Sequence, residues 1–229
     1  MTKDNGIDPE ALAKVNADMK KSGDSEEAIH HFEVDGDKFE AKAPDGNRAF
    51  ISVWDNALED EWCEKLIDMF EVKSELHRKT EHPEFRSFTE LNFFDPKLGP
   101  EYEEACMHLL GKVSEYTESY RRHNQISFFP QQCHNEEVRM KKYFKGSGDD
   151  FKYHADVGDY ASARRFLVCF FYLNDVEEGG ETVFPDYETS VEARKGRLAI
   201  FPPFWTHPHA GQPAISNDKY IIGTYLHYI

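Results

Sequence analysis

Nowhere does this sequence hold an apolar run near the ~18 residues that a membrane-spanning helix requires. Its opening stretch, MTKDNGIDPE, lacks the apolar segment of a secretory signal. Cysteine is scarce and scattered. Cys63, Cys106, Cys133 and Cys169 form no CxxC pair and no zinc-ribbon spacing. Four such thiols in a chain of 229 residues do not make a disulfide framework. They are expected to be reduced, packed thiols of a cytoplasmic protein. Positive charge is also in deficit, with 27 Lys and Arg against 43 Asp and Glu, a net charge of −16. Duplex DNA and anionic membranes repel such a surface. No basic run is interleaved with aromatics, so single-stranded nucleic acid is not indicated either. Neither a nucleic-acid nor a membrane partner is therefore expected. There is no internal repeat.

Aromatic residues, by contrast, are plentiful: 18 Phe and 11 Tyr can fill a sizeable core. They are not evenly spread. Residues 1–47 are acidic and poor in large apolar groups, which predicts a mobile N-terminal segment with at most a short helix over 9–21. Residues 48–229 read as one domain. It opens with a strand in FISVW, where Phe50, Ser52 and Trp54 alternate with Ile51 and Val53. A helix follows, with Trp62, Cys63, Leu66, Ile67 and Phe70 on one stripe, and Asn56 and Glu59 are spaced as a capping box. After a charged loop, FRSFTELNFF reads as a strand. Gly99-Pro100 then opens a second helix carrying Tyr102, Cys106, Leu109, Leu110, Val113, Thr117 and Tyr120 at helical period. From residue 126 onward, short strand-like runs separated by Gly, Pro, Asp and Asn take over. The expected architecture is mainly β with flanking helices. It is a sandwich or jelly roll, with the two N-terminal helices packed on one face.

Within FKYHADVGDY, His154 and Asp156 are two residues apart. On a strand such residues share a face, about 7 Å apart along the backbone, and can converge on one ion. A third ligand must come from a distant segment, and FWTHPHAGQP offers His207 and His209. Two imidazoles and one carboxylate on one side of an ion, with open positions opposite, suit non-haem iron(II) and oxygen chemistry. Zinc accepts the same ligands but has no redox step. Activating O₂ needs electrons, which a 2-oxo acid can supply by losing CO₂. Its distal carboxylate then needs a deep cation, and Lys219 opens the strand KYIIGTYLHY. The bland alternatives are a chance pair on a surface strand and a solvent-facing edge lysine.

The run KYFKGSGDDFKYHADVGDYASARRFLVCFFYLNDVEEGGETVFP, followed by HAGQPAISNDK, resembles the prolyl 4-hydroxylase family of iron(II)- and 2-oxoglutarate-dependent dioxygenases. The resemblance covers about residues 135–229, the expected metal-site core. ISVWDNALEDEWCEKLI more loosely resembles the opening of the same domain. The resemblance implies a double-stranded β-helix. It implies Fe(II), 2-oxoglutarate and O₂, with ascorbate as a possible reductant, and hydroxylation of a C–H bond with release of succinate and CO₂. The substrate implied is C4 of a prolyl residue in a peptide or protein. A free amino acid, another small molecule or a nucleobase is the alternative, and a non-catalytic jelly-roll binding module the more distant one.

Residue by residue, His154, Asp156 and His209 match the iron ligands. His209 is preferred to His207 because the family places that histidine ten residues before its basic residue, here Lys219. Lys219 matches the partner of the 2-oxoglutarate distal carboxylate, with Arg197 or Arg194 as substitutes if it is not. Tyr143 and Tyr172 stand where tyrosine hydroxyls contact 2-oxoglutarate, and core packing is the alternative for both. Arg165 matches a substrate-facing arginine, with a solvated strand-edge charge as its alternative. Tyr225 stands where many members carry a substrate-lining tryptophan, and Phe151 where many carry a tyrosine. Gly179, Gly180 and Pro185 read as structural, the glycines supplying positive φ. Asp149, Asp150 and Asp159 are expected in a solvated loop near the mouth of the site, where they could attract a basic substrate.

Overall fold

The computed structural model describes residues 30–34, 37–41, 49–82 and 84–229. The elements begin with strands β1 (His30–Val34) and β2 (Asp37–Ala41), then β3 (Ser52–Trp54) and helix α1 (Asp60–Glu71). Next come β4 (Arg78–His82), β5 (Arg86–Asn92) and helix α2 (Pro100–His123). The remainder is all strand: β6 (Cys133–Asn135), β7 (Arg139–Tyr143), β8 (Phe151–His154), β9 (Arg165–Tyr172) and β10 (Thr182–Phe184). β11 (Thr189–Val191), β12 (Leu198–Phe201), β13 (His209–Gly211) and β14 (Lys219–Tyr228) complete it.

β1 and β2 pair with each other. The other twelve strands make one antiparallel, nearly barrel-like sheet in the order β11-β10-β13-β8-β5-β7-β14-β9-β12-β3, with β4 added to β5 and β6 to β14. This is the jelly-roll architecture expected.

Strand alternation explains how one sheet serves two cores. On β9, Leu167, Cys169 and Phe171 face the helices, whereas Val168, Phe170 and Tyr172 face inward. β12 repeats the division, with Leu198 and Ile200 outward to the helices and Ala199 and Phe201 inward. The sheet is covered on one face by α1 and α2, and the other face closes on itself around the interior. β14 crosses β9 closely at Gly223, where a Cβ would lie 2.3 Å from the Cys169 carbonyl oxygen. Only glycine allows that approach.

α2 forms where its signals say it should. Pro100 occupies its first turn, Glu101 and Glu103 sit at its positive end, and Arg121, Arg122 and His123 at its negative end. Tyr102, Cys106, Leu109, Val113, Thr117 and Tyr120 are all buried on one stripe. All four cysteines are free thiols, three buried and Cys133 exposed.

Several local expectations are corrected. The first strand is shorter than its alternation suggests, because Phe50 adopts φ +50° and breaks the extended backbone. Asn56 and Glu59 do not form a capping box. Asn56 is left-handed at φ +55°, and the Glu59 carboxylate reaches Lys112 at 2.5 Å and His108 at 3.2 Å on α2. The charged loop after α1 contains β4, which is added to the sheet by β5. Of residues 1–47, only the paired strands β1 and β2 are described. The helix expected over 9–21 lies outside the described residues.

Asp149 and Asp150 are not solvated. Both are buried, and Asp149 accepts from Lys79 at 2.6 Å and Ser87 at 2.6 Å, fastening the β7–β8 loop to β4 and β5. Asp159 is bonded locally to Ser162. Among the described residues, no helix is long and apolar enough to cross a membrane.

Leu109 is 2% exposed at the centre of the helix–sheet core. Leu109→Ala is expected to cost about 2–5 kcal/mol, read as a lower urea midpoint with an unchanged slope.

Candidate active site

The site is assembled by strand register. β13 runs antiparallel to β8 so that His209 lies directly opposite His154. Asp156 follows two residues later, in the turn just beyond the end of β8 rather than on the strand itself. The turn brings its carboxylate back over the two rings. His154 Nε2 lies 3.4 Å from Asp156 Oδ1, and His209 Nε2 lies 3.6 Å from Asp156 Oδ2. The donor atoms of the three residues lie within 4.8 Å of one another.

Each imidazole is oriented from behind. His154 Nδ1 lies 2.7 Å from the Lys152 carbonyl oxygen, and His209 Nδ1 lies 3.1 Å from the His207 carbonyl oxygen. With Nδ1 as the donor in both, each Nε2 presents its lone pair inward. Phe151 stacks on His154 at 3.5 Å between ring centroids, and Phe201 packs edge-on to His209 at 4.8 Å. Burial pushes the Asp156 carboxyl up, but His154, His209 and Tyr225 outweigh it and hold it well below its usual value. It is a carboxylate. His209 is lowered by burial, which favours the neutral imidazole that a metal needs.

These residues fit a metal ion. His154 Nε2 and Asp156 Oδ2 are buried with no hydrogen-bond partner. Such atoms cost about 1–3 kcal/mol each when left unsatisfied. A cation between them satisfies both, and a donor set of two imidazoles and one carboxylate with room opposite suits Fe(II).

Asp156 is itself braced. The Tyr225 hydroxyl donates to Asp156 Oδ1 at 2.7 Å. Arg165 donates to the Asp156 backbone carbonyl at 3.1 Å and lies 4.0 Å over the Tyr225 ring. Its remaining donors go to Glu136 at 2.6 and 3.0 Å, and Glu136 also meets His227. Arg165 therefore differs from its expected role facing substrate: Glu136 and the Asp156 backbone occupy it as a strut. Tyr225 lines the cavity, with its hydroxyl turned to the carboxylate.

Deeper in the same cavity lies Lys219, 2% exposed and opposite Tyr143 in the β14–β7 register. Its ammonium lies 5.1 Å from the Tyr143 ring centroid and 5.5 Å from that of Tyr172. Among the described residues it makes no ion pair. Burial lowers it to about 7, with Glu181 opposing the shift. Gly180 beside the lysine stem is left-handed at φ +77°, a backbone conformation that favours glycine.

Tyr143 lines the cavity. The Tyr172 hydroxyl donates instead to Thr182 at 2.7 Å, so this tyrosine packs beside the lysine with its polar end already satisfied. His207 turns away from the cluster, its Nε2 lying 2.7 Å from the Ala49 carbonyl oxygen. Arg197 is held by Asp55 and Arg194 by Glu192, so neither substitutes for Lys219.

Residues 138–227 match the family model of the 2OG-Fe(II) oxygenase superfamily. That stretch is 90 of the 229 residues, and over it the chain resembles the prolyl 4-hydroxylase-like 2OG-Fe(II) oxygenases. The chain is 29% identical to prolyl 4-hydroxylase subunit alpha-1 of Gallus gallus, over 40% of its own length and 20% of that protein. It is 28% identical to probable prolyl 4-hydroxylase 4 of Arabidopsis thaliana, over 44% of each chain. It therefore aligns with less than half the length of either relative. In fold, it resembles the viral collagen prolyl hydroxylase of Paramecium Bursaria Chlorella virus-1, solved as a 2OG complex. That match has a TM-score of 0.60 and 23% identity and covers 81% of this chain and 98% of that one. A Pseudomonas putida prolyl-4-hydroxylase gives a TM-score of 0.60 at 17% identity, over 79% and 94% of the two chains.

Lys141, Arg139 and Thr182, not singled out from the sequence, also line the cavity. For the first two the signal was present. In RMKKY, residues 139, 141 and 143 share one strand face, so Tyr143 marks the face on which the other two lie.

Tyr225→Phe removes one hydroxyl and keeps the ring under Arg165. Anaerobic Fe(II) titration of this variant is expected to show about 10–100-fold weaker binding, as loss of a ligand's outer hydrogen bond does elsewhere. Unchanged affinity would mean that Asp156 needs no brace.

Proposed function

We propose that this chain is an iron(II)- and 2-oxoglutarate-dependent dioxygenase that hydroxylates C4 of a prolyl residue in a peptide or protein. One observation carries the reading. A buried cluster of two histidines and an aspartate, with two orphaned donor atoms, shares a cavity with a buried lysine that has no ion pair among the described residues. A metal alone would not require the lysine. A metal chelated by a dicarboxylate uses both, one carboxylate near the cluster and the other at the ammonium.

When bound, Fe(II) with 2-oxoglutarate and O₂ supplies the oxidising chemistry for C–H hydroxylation, with succinate and CO₂ as co-products. The chain's own residues do the rest. His154, Asp156 and His209 hold the ion on one side. Lys219 pairs with the distal carboxylate, and the buried Tyr143 hydroxyl is the neighbouring donor. Phe151, Val168 and Ile221 line the same cavity and exclude water from it. Tyr225 and Arg165 keep Asp156 from rotating away. The similarity to prolyl 4-hydroxylases supports prolyl C4 as the target, and ascorbate as auxiliary reductant belongs to the same proposal.

The test is succinate release from protein given Fe(II), 2-oxoglutarate and a panel of proline-containing peptides, with a mass gain of one oxygen on the peptide. His154→Ala and Asp156→Ala are expected to abolish turnover while the melting temperature stays near that of the parent. Full turnover in either variant would remove that residue from the iron site.

Lys219 gives the cosubstrate a pH signature. In the anion-free cavity its ammonium persists only below about pH 7, against an ordinary value of 10.5. A carboxylate pairs with the charged form and raises that value again. Affinity for 2-oxoglutarate is therefore expected to be full below pH 7 and to fall as pH rises above it. Calorimetry at pH 8 in buffers of differing ionisation heat is expected to show proton uptake on binding. Both signatures should vanish in Lys219→Met, and a pH-independent affinity in the parent protein would assign the anion to another group.

A further inference from the structure

A second cation in the cavity is not used by any step above. Lys141 lies two residues before Tyr143 on β7, on the same face, and lines the cavity alongside His154, Asp156 and His209. Its ammonium lies 4.9 Å from the Phe88 ring centroid and 5.7 Å from that of Phe151, the ring stacked on His154. It makes no ion pair among the described residues. The Arg86 guanidinium lies 5.9 and 5.6 Å from the same two rings, and its buried Nε has no hydrogen-bond partner.

The neighbouring acids are engaged elsewhere. Glu90, opposite Lys141 in the β5–β7 register, lies 3.9 Å from Arg139. Glu137 is held by Arg139 at 2.8 Å, and Glu136 by Arg165 and His227. Asp156 belongs to the histidine cluster and Tyr225. Charge accounting sharpens this. A divalent cation, Asp156, doubly ionised 2-oxoglutarate and the Lys219 ammonium together sum to zero. Lys141 is then a positive charge left over in a partly closed, ring-lined space, where an unpaired cation is costly. Burial lowers its pKa, and Asp156 and Glu90 only partly oppose that shift.

We propose that the cavity accepts a substrate that carries a carboxylate close to the C–H bond to be oxidised, with Lys141, backed by Arg86, as its counter-ion. This rests on the oxygenase reading and narrows its substrate class. The carboxylate can come from an acidic residue beside the target proline in a peptide, or from a free amino acid.

The experiment uses the full chain loaded anaerobically with Fe(II) and 2-oxoglutarate, titrated in a calorimeter with two matched pairs. One pair is acetyl-Pro-Asp-amide against acetyl-Pro-Asn-amide, and the other L-proline against L-prolinamide. The carboxylate member of at least one pair is expected to bind about tenfold or more tightly than its amide, as a hydrogen bond to a charged group provides. The peptide pair responding identifies an acidic peptide, and the proline pair a free amino acid. Lys141→Met should erase the preference and Lys141→Arg should retain it.

Equal binding of acid and amide overturns the proposal. So does a preference that survives in Lys141→Met, or protein that takes up 2-oxoglutarate but no carboxylate probe below about 10 mM. An equal loss of 2-oxoglutarate affinity in Lys141→Met assigns the lysine to the cosubstrate and overturns it too. Failure of the parent protein to bind 2-oxoglutarate at all is a separate result, and overturns the oxygenase reading itself.

Discussion

The pairing of β13 with β8 is the constraint on which the rest of the structure depends. It sets His209 against His154, two residues that are 55 positions apart in the chain. Because strand side chains alternate, a slip of one residue in that register would turn one imidazole out of the interior. The ladder shifts register between His209 and Gly211, so the two histidines are held opposite by a single pairing. The turn after β8 then returns Asp156 over both rings. The rest of the site is an answer to the strain of that arrangement, in which three polar side chains are buried and two of their atoms lack partners.

The surroundings divide into two kinds of support. Backbone carbonyls of Lys152 and His207 fix the imidazoles from behind, at no cost in side-chain entropy. The carboxylate is fixed by side chains instead, through Tyr225 and the Arg165–Glu136 pair. Tyr225 spends its hydroxyl on the Asp156 carboxylate rather than on the open part of the cavity.

The acidic excess of the chain is not carried into the cavity, where Glu136, Glu137 and Asp156 are matched by Arg139, Lys141 and Lys219. Against a net charge of −16 overall, Lys141 and Lys219 line the interior without ion pairs among the described residues. Outside it, the buried acids Asp149 and Asp150 are spent on holding the β7–β8 loop in place. Bulk charge therefore says little about what the site attracts, because the low-dielectric interior weights a few nearby groups over the many on the surface.

Local information settled a good deal. Helical period and a proline at the first turn located α2, alternation located most strands, and the His154-Asp156 spacing marked the candidate ligands. Positive φ at Gly179 and Gly180 also followed from residue type alone. What the sequence left open were choices between equivalent residues. Nothing in the string distinguishes His207 from His209 by geometry, or an idle arginine at 165 from a bonded one. Lys141, on the same face as Tyr143, was legible by alternation, but its lack of a partner was not. Side-chain type and spacing follow from the chain itself, because periodicity is a property of the local backbone. Which donors meet which acceptors was decided only by tertiary structure, because those pairs form between strands whose register is set by the packing of the whole sheet.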